Sequence, residues 1–194
     1  MKMPLEVLRL YAEHNYTLNG AYASRVVRDP QREFIFFNGK SWSWQSFGEA
    51  VERTARLFVS RGVRKGDRVG VMARNCDGHV LALFALARVG AIMVPVNPEF
   101  GVQEAKYVFH HAGVCAVLAA SDTLAVARQA AEGLPTPPWF ALFDSAADDV
   151  PLLSDLAANA LQVALPNDIT ADDTVLIVYT SGTTGFPKGL RKQL

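Results

Sequence analysis

The chain has 194 residues, half of them hydrophobic, and its 19 basic and 19 acidic side chains leave no formal net charge. That is enough apolar material for one core, and the lack of a basic run or stripe argues against a protein held to nucleic acid by charge. No signal peptide is expected in Met1–Arg9, and the greasiest stretch, residues 80–96, is too short and too broken by Arg88, Gly90 and Pro95 to span a bilayer. Cys76 and Cys115 are isolated, without metal-type spacing, which fits packing roles in a reduced, cytoplasmic setting.

In chain order, the first element expected is a hairpin: Phe34–Phe37 and Trp42–Trp44 flank Asn38-Gly39, two residues that tolerate positive φ. Trp42 and Trp44 would share the core face of its second strand. A helix over residues 45–61 follows, with Ser46 and Glu49 as a capping box. Strands are predicted at 68–73, 91–96, 114–119, 139–143 and 174–179, and further helices at 78–89, 102–112 and 123–131. Gly90 and Gly113 suit the position just past a helix end. Residues 134–138 read as a turn, and 145–172 as a surface excursion with one short helix near 152–158. This alternation predicts an α/β fold with a mostly parallel sheet and flanking helices.

The chemistry is concentrated near the end. The apolar run Val175–Tyr179 leads into Thr180-Ser181-Gly182-Thr183-Thr184-Gly185-Phe186-Pro187-Lys188-Gly189. Glycines let backbone N–H groups turn toward an anion, hydroxyls add donors, and a lysine adds positive charge, so this segment is built to hold phosphate. It is not a Walker A loop, because Pro187 precedes Lys188 and Gly189 follows it, and it is not a dinucleotide fingerprint.

Thr180–Gly189 closely resembles the phosphate loop of the AMP-forming acyl-CoA synthetases and the wider adenylate-forming superfamily. The stretch 87–98, ARVGAIMVPVNP, resembles the family's second signature, and Gly62–Met72 is also similar. Asn97 stands where peptide-synthetase modules tend to carry Asp, which points toward acyl- or aryl-CoA ligases and leaves fatty-acyl, aryl and carnitine-type substrates open. The resemblance implies that Thr180, Ser181, Gly182, Thr183, Thr184 and Gly185 wrap the β- and γ-phosphates of ATP, that Lys188 offsets their charge, and that Thr184 lies near Mg2+. It implies a ligase that joins a carboxylate to AMP, releases pyrophosphate and passes the acyl group to CoA, as in fatty acid metabolism.

Residues 1–194 are then expected to form a partial N-terminal AMP-binding domain. The family's adenine-binding segment, ribose aspartate, magnesium glutamate and small C-terminal domain with its catalytic lysine have no counterparts here, so no catalytic residue is assigned. Arg191–Leu194 departs from the family's usual continuation, and the strand before the loop is expected at a sheet edge. The alternative is a non-catalytic remnant that retains only the phosphate loop.

Other polar residues invite blander readings. His110 and His111 are adjacent on a helix, do not face one another and suit the helix C-terminus better than a metal. His14 and His79 have no evident partner. Asp148-Asp149 and Asp172-Asp173 read as solvated or capping pairs.

Overall fold

The structure is a computed structural model that describes residues 15–147, 149–180 and 188–193. His14, Asp148 and Ser181–Pro187, for which the sequence carries expectations, lie outside the described residues. The chain begins with α1 (Leu18–Arg28), then β1 (Glu33–Phe37), β2 (Lys40–Ser43), α2 (Trp44–Ser60), β3 (Arg68–Met72), α3 (Asp77–Val89) and β4 (Ile92–Pro95). It continues with α4 (Val102–Ala112), β5 (Ala116–Ala119), α5 (Leu124–Ala131), β6 (Trp139–Leu142), α6 (Leu153–Ala158), β7 (Thr174–Thr180) and β8 (Lys188–Gln193).

The main sheet has the order β6-β5-β3-β4-β7-β8. The first five strands in that order are parallel, and β8 pairs antiparallel with β7. Strand alternation sends side chains to two cores. Met72, Val94 and Val117 meet Val108 and Phe109 of α4 and Ala127 of α5 on one face. Val69, Val71, Met93 and Leu118 meet Phe58 of α2, Leu86 of α3 and Leu153 of α6 on the other. A sheet buried on both faces explains why its strands read as continuous apolar runs.

Helix ends follow local chemistry. Gly90 and Gly113 adopt φ of 71° and 64° after α3 and α4, a left-handed turn that costs other residues energy. Arg68 secures the second of these ends: its Nε donates to the Ala112 carbonyl at 2.7 Å and one terminal nitrogen to that of Gly113 at 2.8 Å.

The β1–β2 hairpin turns at Asn38 and Gly39, with φ of 47° and 77°, as the Asn-Gly pair predicts. The capping box at the start of α2 is Ser43 with Ser46, not Ser46 with Glu49. Ser46 N–H donates to Ser43 Oγ at 3.1 Å, and Ser43 N–H to Ser46 Oγ at 3.0 Å. The helix begins at Trp44, so Ser46 is its third residue rather than its cap. For the same reason Trp44 is not on the strand with Trp42. Both still serve the core, Trp44 stacked on Phe34 with ring centroids 3.7 Å apart and Trp42 edge-on to Phe47.

Helix α1 has no strong sequence signal, since Tyr22 is its one buried residue. Tertiary bonds hold it: Asn19 Nδ2 donates to the Ala87 carbonyl, and the Tyr22 hydroxyl to Glu52. The edge expectation for β7 is also corrected. β8 pairs along its length, from Thr174–Gln193 to Thr180–Lys188.

Candidate functional site

The connections out of β3 and β4 leave for opposite faces of the sheet, α3 toward one core and α4 toward the other. Where neighbouring parallel strands diverge in this way, their carboxyl ends open a crevice, the usual ligand position in such sheets. Arg74 in the loop after β3 pairs with Glu99 in the loop after β4 at 2.5 Å, and Asn97 Oδ1 accepts from the Glu99 N–H at 3.0 Å. Both charged groups are exposed, so this pair marks the rim more than it stabilises it.

β7 lies beside β4 and runs parallel to it, so its carboxyl end reaches the same rim. Thr180 is its last residue, and Thr180 pairs with Lys188, the first residue of β8. The two ends of the expected phosphate loop are thereby held at the spacing of neighbouring strands, roughly 5 Å. Of the candidate binding residues, the structure brings together Thr180 and the Lys188 backbone; Ser181, Gly182, Thr183, Thr184 and Gly185 lie outside the described residues.

The residues just outside these ends are tightly fitted. Tyr179 faces Gly189 across the strand pair, and a Cβ at Gly189 would lie 3.2 Å from the Tyr179 ring. Tyr179 Oη is 2.7 Å from His111 Nδ1 on α4, and the two rings meet edge-on. The His111 ring stacks on Tyr107, four residues earlier on the same helix. Burial pushes the Tyr179 phenol up, with Tyr107 adding to the shift and Arg68 opposing it. Beside this cluster lies a groove of about 460 Å³ lined by Arg68, Ile92, His111, Ile177, Tyr179 and Gly189.

The two adjacent histidines therefore diverge, as their helical positions require. His110 Nε2 lies 3.1 Å from the Glu132 carbonyl, while His111 reaches β7. The His111–Tyr179 contact was not anticipated from sequence. The residues are 68 positions apart, and only the sheet order places α4 over β7.

Several other titratable groups have structural partners. Asp173 accepts from the Thr170 N–H and pairs with Lys65 at 2.8 Å, and Asp149 pairs with Arg128. Burial opposes ionisation of Asp77, yet the Trp42 indole and Lys40 outweigh it and hold the carboxyl below its usual range. Burial pushes both the Cys76 and Cys115 thiols up. Among the described residues, no group of three or more His, Cys, Asp and Glu is placed to hold a metal, and no helix is long and apolar enough to cross a membrane.

Comparison with known proteins agrees with this geometry. The profile of the family described as "AMP-binding enzyme" matches residues 22–190. The chain is 34% identical over 156 residues to a crotonobetaine/carnitine–CoA ligase of Salmonella paratyphi A, an alignment covering 78% of this chain and 30% of that protein. It thus spans less than a third of the length of the curated relatives it matches. Its fold superposes on the anthranilate CoA ligase AuaEII, solved with anthranoyl-AMP, with a TM-score of 0.83 at 18% identity, covering 98% of this chain and 36% of that one. The inhibitor-bound N-terminal domain of FACL13 from Mycobacterium tuberculosis gives 0.77 at 22% identity, covering 93% and 44% respectively. The profile match over most of the chain establishes that it belongs to the AMP-binding enzyme family, and the relatives it resembles are CoA ligases.

Proposed function

We propose that this chain is the N-terminal part of the large domain of an AMP-forming acyl-CoA ligase, and that Thr180–Gly189 holds the β- and γ-phosphates of ATP. The observation that carries the reading is the Thr180–Lys188 strand pair. It fixes both ends of a hydroxyl- and glycine-rich segment at the carboxyl rim of a parallel sheet, beside its switch point.

In this reading Thr180, Ser181, Gly182, Thr183, Thr184 and Gly185 supply N–H and hydroxyl donors, and Lys188 neutralises charge that accumulates on departing pyrophosphate. A carboxylate oxygen attacks the α-phosphorus and the bond to the bridging oxygen breaks. CoA thiolate then displaces AMP from the acyl-adenylate. Mg2+ suits such a site because it binds phosphate oxygens with few protein ligands, so the Thr184 hydroxyl together with ATP can hold it without a carboxylate cluster. When bound, it would share the charge of the phosphates. The acyl-adenylate chemistry also calls for a larger protein, carrying groups for adenine, ribose and the catalytic lysine, and for a small-molecule carboxylate and CoA as substrates, in the cytoplasm.

Calorimetric titration of the 194-residue chain with ATP and Mg2+ tests the loop. Lys188→Ala should weaken binding about tenfold, the scale of one lost charge-assisted contact. Equal affinity in the variant would remove Lys188 from the site. Carboxylate-dependent exchange of pyrophosphate into ATP separates an active ligase segment from a remnant that only binds. We expect binding without exchange or acyl-CoA formation from these residues alone.

A further inference from the structure

We propose that Tyr179 and His111 are positioning residues that set the phosphate loop by fixing the end of β7. The proposal rests on the reading of Thr180–Gly189 as the phosphate-holding segment. Three observations outside the loop carry it.

The first is sequence position. Tyr179 directly precedes Thr180, and its strand partner Gly189 directly follows Lys188. The position of Tyr179 therefore sets where the first residue of the loop begins, with only the two backbone torsions between them free to adjust.

The second is the fit of the ring. Tyr179 lies across Gly189 so closely that a Cβ there would sit 3.2 Å from Cζ and 3.3 Å from Cε1, with Ile177 Cγ2 at 3.5 Å. Carbon atoms prefer about 3.5–4.0 Å, so an added methyl would displace the ring. An aromatic side chain laid over a cross-strand glycine covers backbone that would otherwise face water and pins the register of the pair. The close approach of the Tyr179 ring is thus one structural reason for glycine at position 189.

The third is the hydrogen bond that fixes the far end of the ring. Tyr179 Oη sits 2.7 Å from His111 Nδ1, and the histidine is itself held by its stack on Tyr107. α4 is firmly placed, with Ala105, Val108 and Phe109 fully buried and Arg68 bound to the carbonyls at its end. The loop end is tied in this way to a rigid helix on the core of the sheet, and not only to β8.

The test uses the whole 194-residue chain and reads the loop ends directly. Amide exchange is followed by NMR for residues 179, 180, 188 and 189 in the parent, Tyr179→Phe, His111→Ala and the double variant. Each single change should speed exchange at these amides about three- to tenfold, the worth of one side-chain hydrogen bond, while amides of β3 and β5 keep their protection. The double variant should be no worse than either single one, because both remove the same bond. Gly189→Ala should act on the same amides by displacing the ring. Unchanged exchange at the loop ends, additive effects, or uniform loosening of the whole sheet would overturn the proposal. The same samples are then titrated with inorganic pyrophosphate. If the parent does not bind it, the phosphate reading fails whatever the exchange shows. If the parent binds and Tyr179→Phe binds equally well, the positioning role fails while the phosphate reading stands.

Discussion

Gly70 offers a close test of how the sheet is packed. It lies in the middle of β3, paired on both sides, and faces α4. A Cβ built there would be 2.8 Å from Phe109 Cε1 and 3.3 Å from Cδ1. The ring would have to retreat by about 0.7 Å or more to reach ordinary contact. Phe109 has no exposed surface, and cores packed to crystal density have little room to give. Overpacking of this kind costs about 1–3 kcal/mol, against about 0.4–1 kcal/mol regained by restricting the unfolded chain. Gly70→Ala should therefore destabilise by about 1–2 kcal/mol, lowering the thermal midpoint by roughly 2–8 °C in a domain of this size. Urea unfolding followed by circular dichroism should show a lower midpoint with an unchanged slope. Phe109→Leu removes the ring edge that the methyl meets, so the double variant should lose clearly less than the two single losses combined. A Gly70→Ala protein as stable as the parent, or strict additivity with Phe109→Leu, would refute the assigned contact.

Two further predictions concern buried polar groups. Thr123 Oγ1 is buried, donates to the Met72 carbonyl at 2.6 Å and lies within reach of Ala120, so Thr123→Val should cost about 1–3 kcal/mol and Thr123→Ser much less. Equal stability of Val and Ser variants in urea titrations would contradict this. His79 has a buried Nδ1 with no hydrogen-bond partner among the described residues, and burial holds its pKa below the usual value. The unfolded state then takes up a proton near pH 6.5 that the folded state refuses, so this residue makes stability fall as pH drops below about 6.5. His79→Leu should lose less stability than the parent between pH 7.5 and 5.5, and parallel losses in denaturant titrations at the two values would sink the assignment.

The features legible in sequence were those with a local cause. Residues 102–112 form α4 as predicted because the apolar spacing, the glycine after it and the strand that follows agree. The hairpin was legible for the same reason, as Asn38-Gly39 has few other conformations available. The candidate loop can be named from sequence because its chemistry lies in ten consecutive residues, and its phosphate role stands as a proposal. What sequence missed depended on distant partners. α1 forms with a single buried residue because α2 and α3 bond to it. The box at α2 differs because the helix starts at Trp44, one residue earlier than predicted, which makes Ser43 the cap. His111 could not be linked to Tyr179 before the sheet order was known, since β7 lies two places from β3 only through its position beside β4.

The most direct test of the central claim is a pyrophosphate titration of the 15N-labelled 194-residue chain, read amide by amide. The account predicts saturable shifts concentrated from Thr180 to Gly189, with β5 and β6 unmoved, and a marked loss of affinity in Lys188→Ala. Saturable shifts elsewhere with none in that segment, or no binding at all, would contradict it.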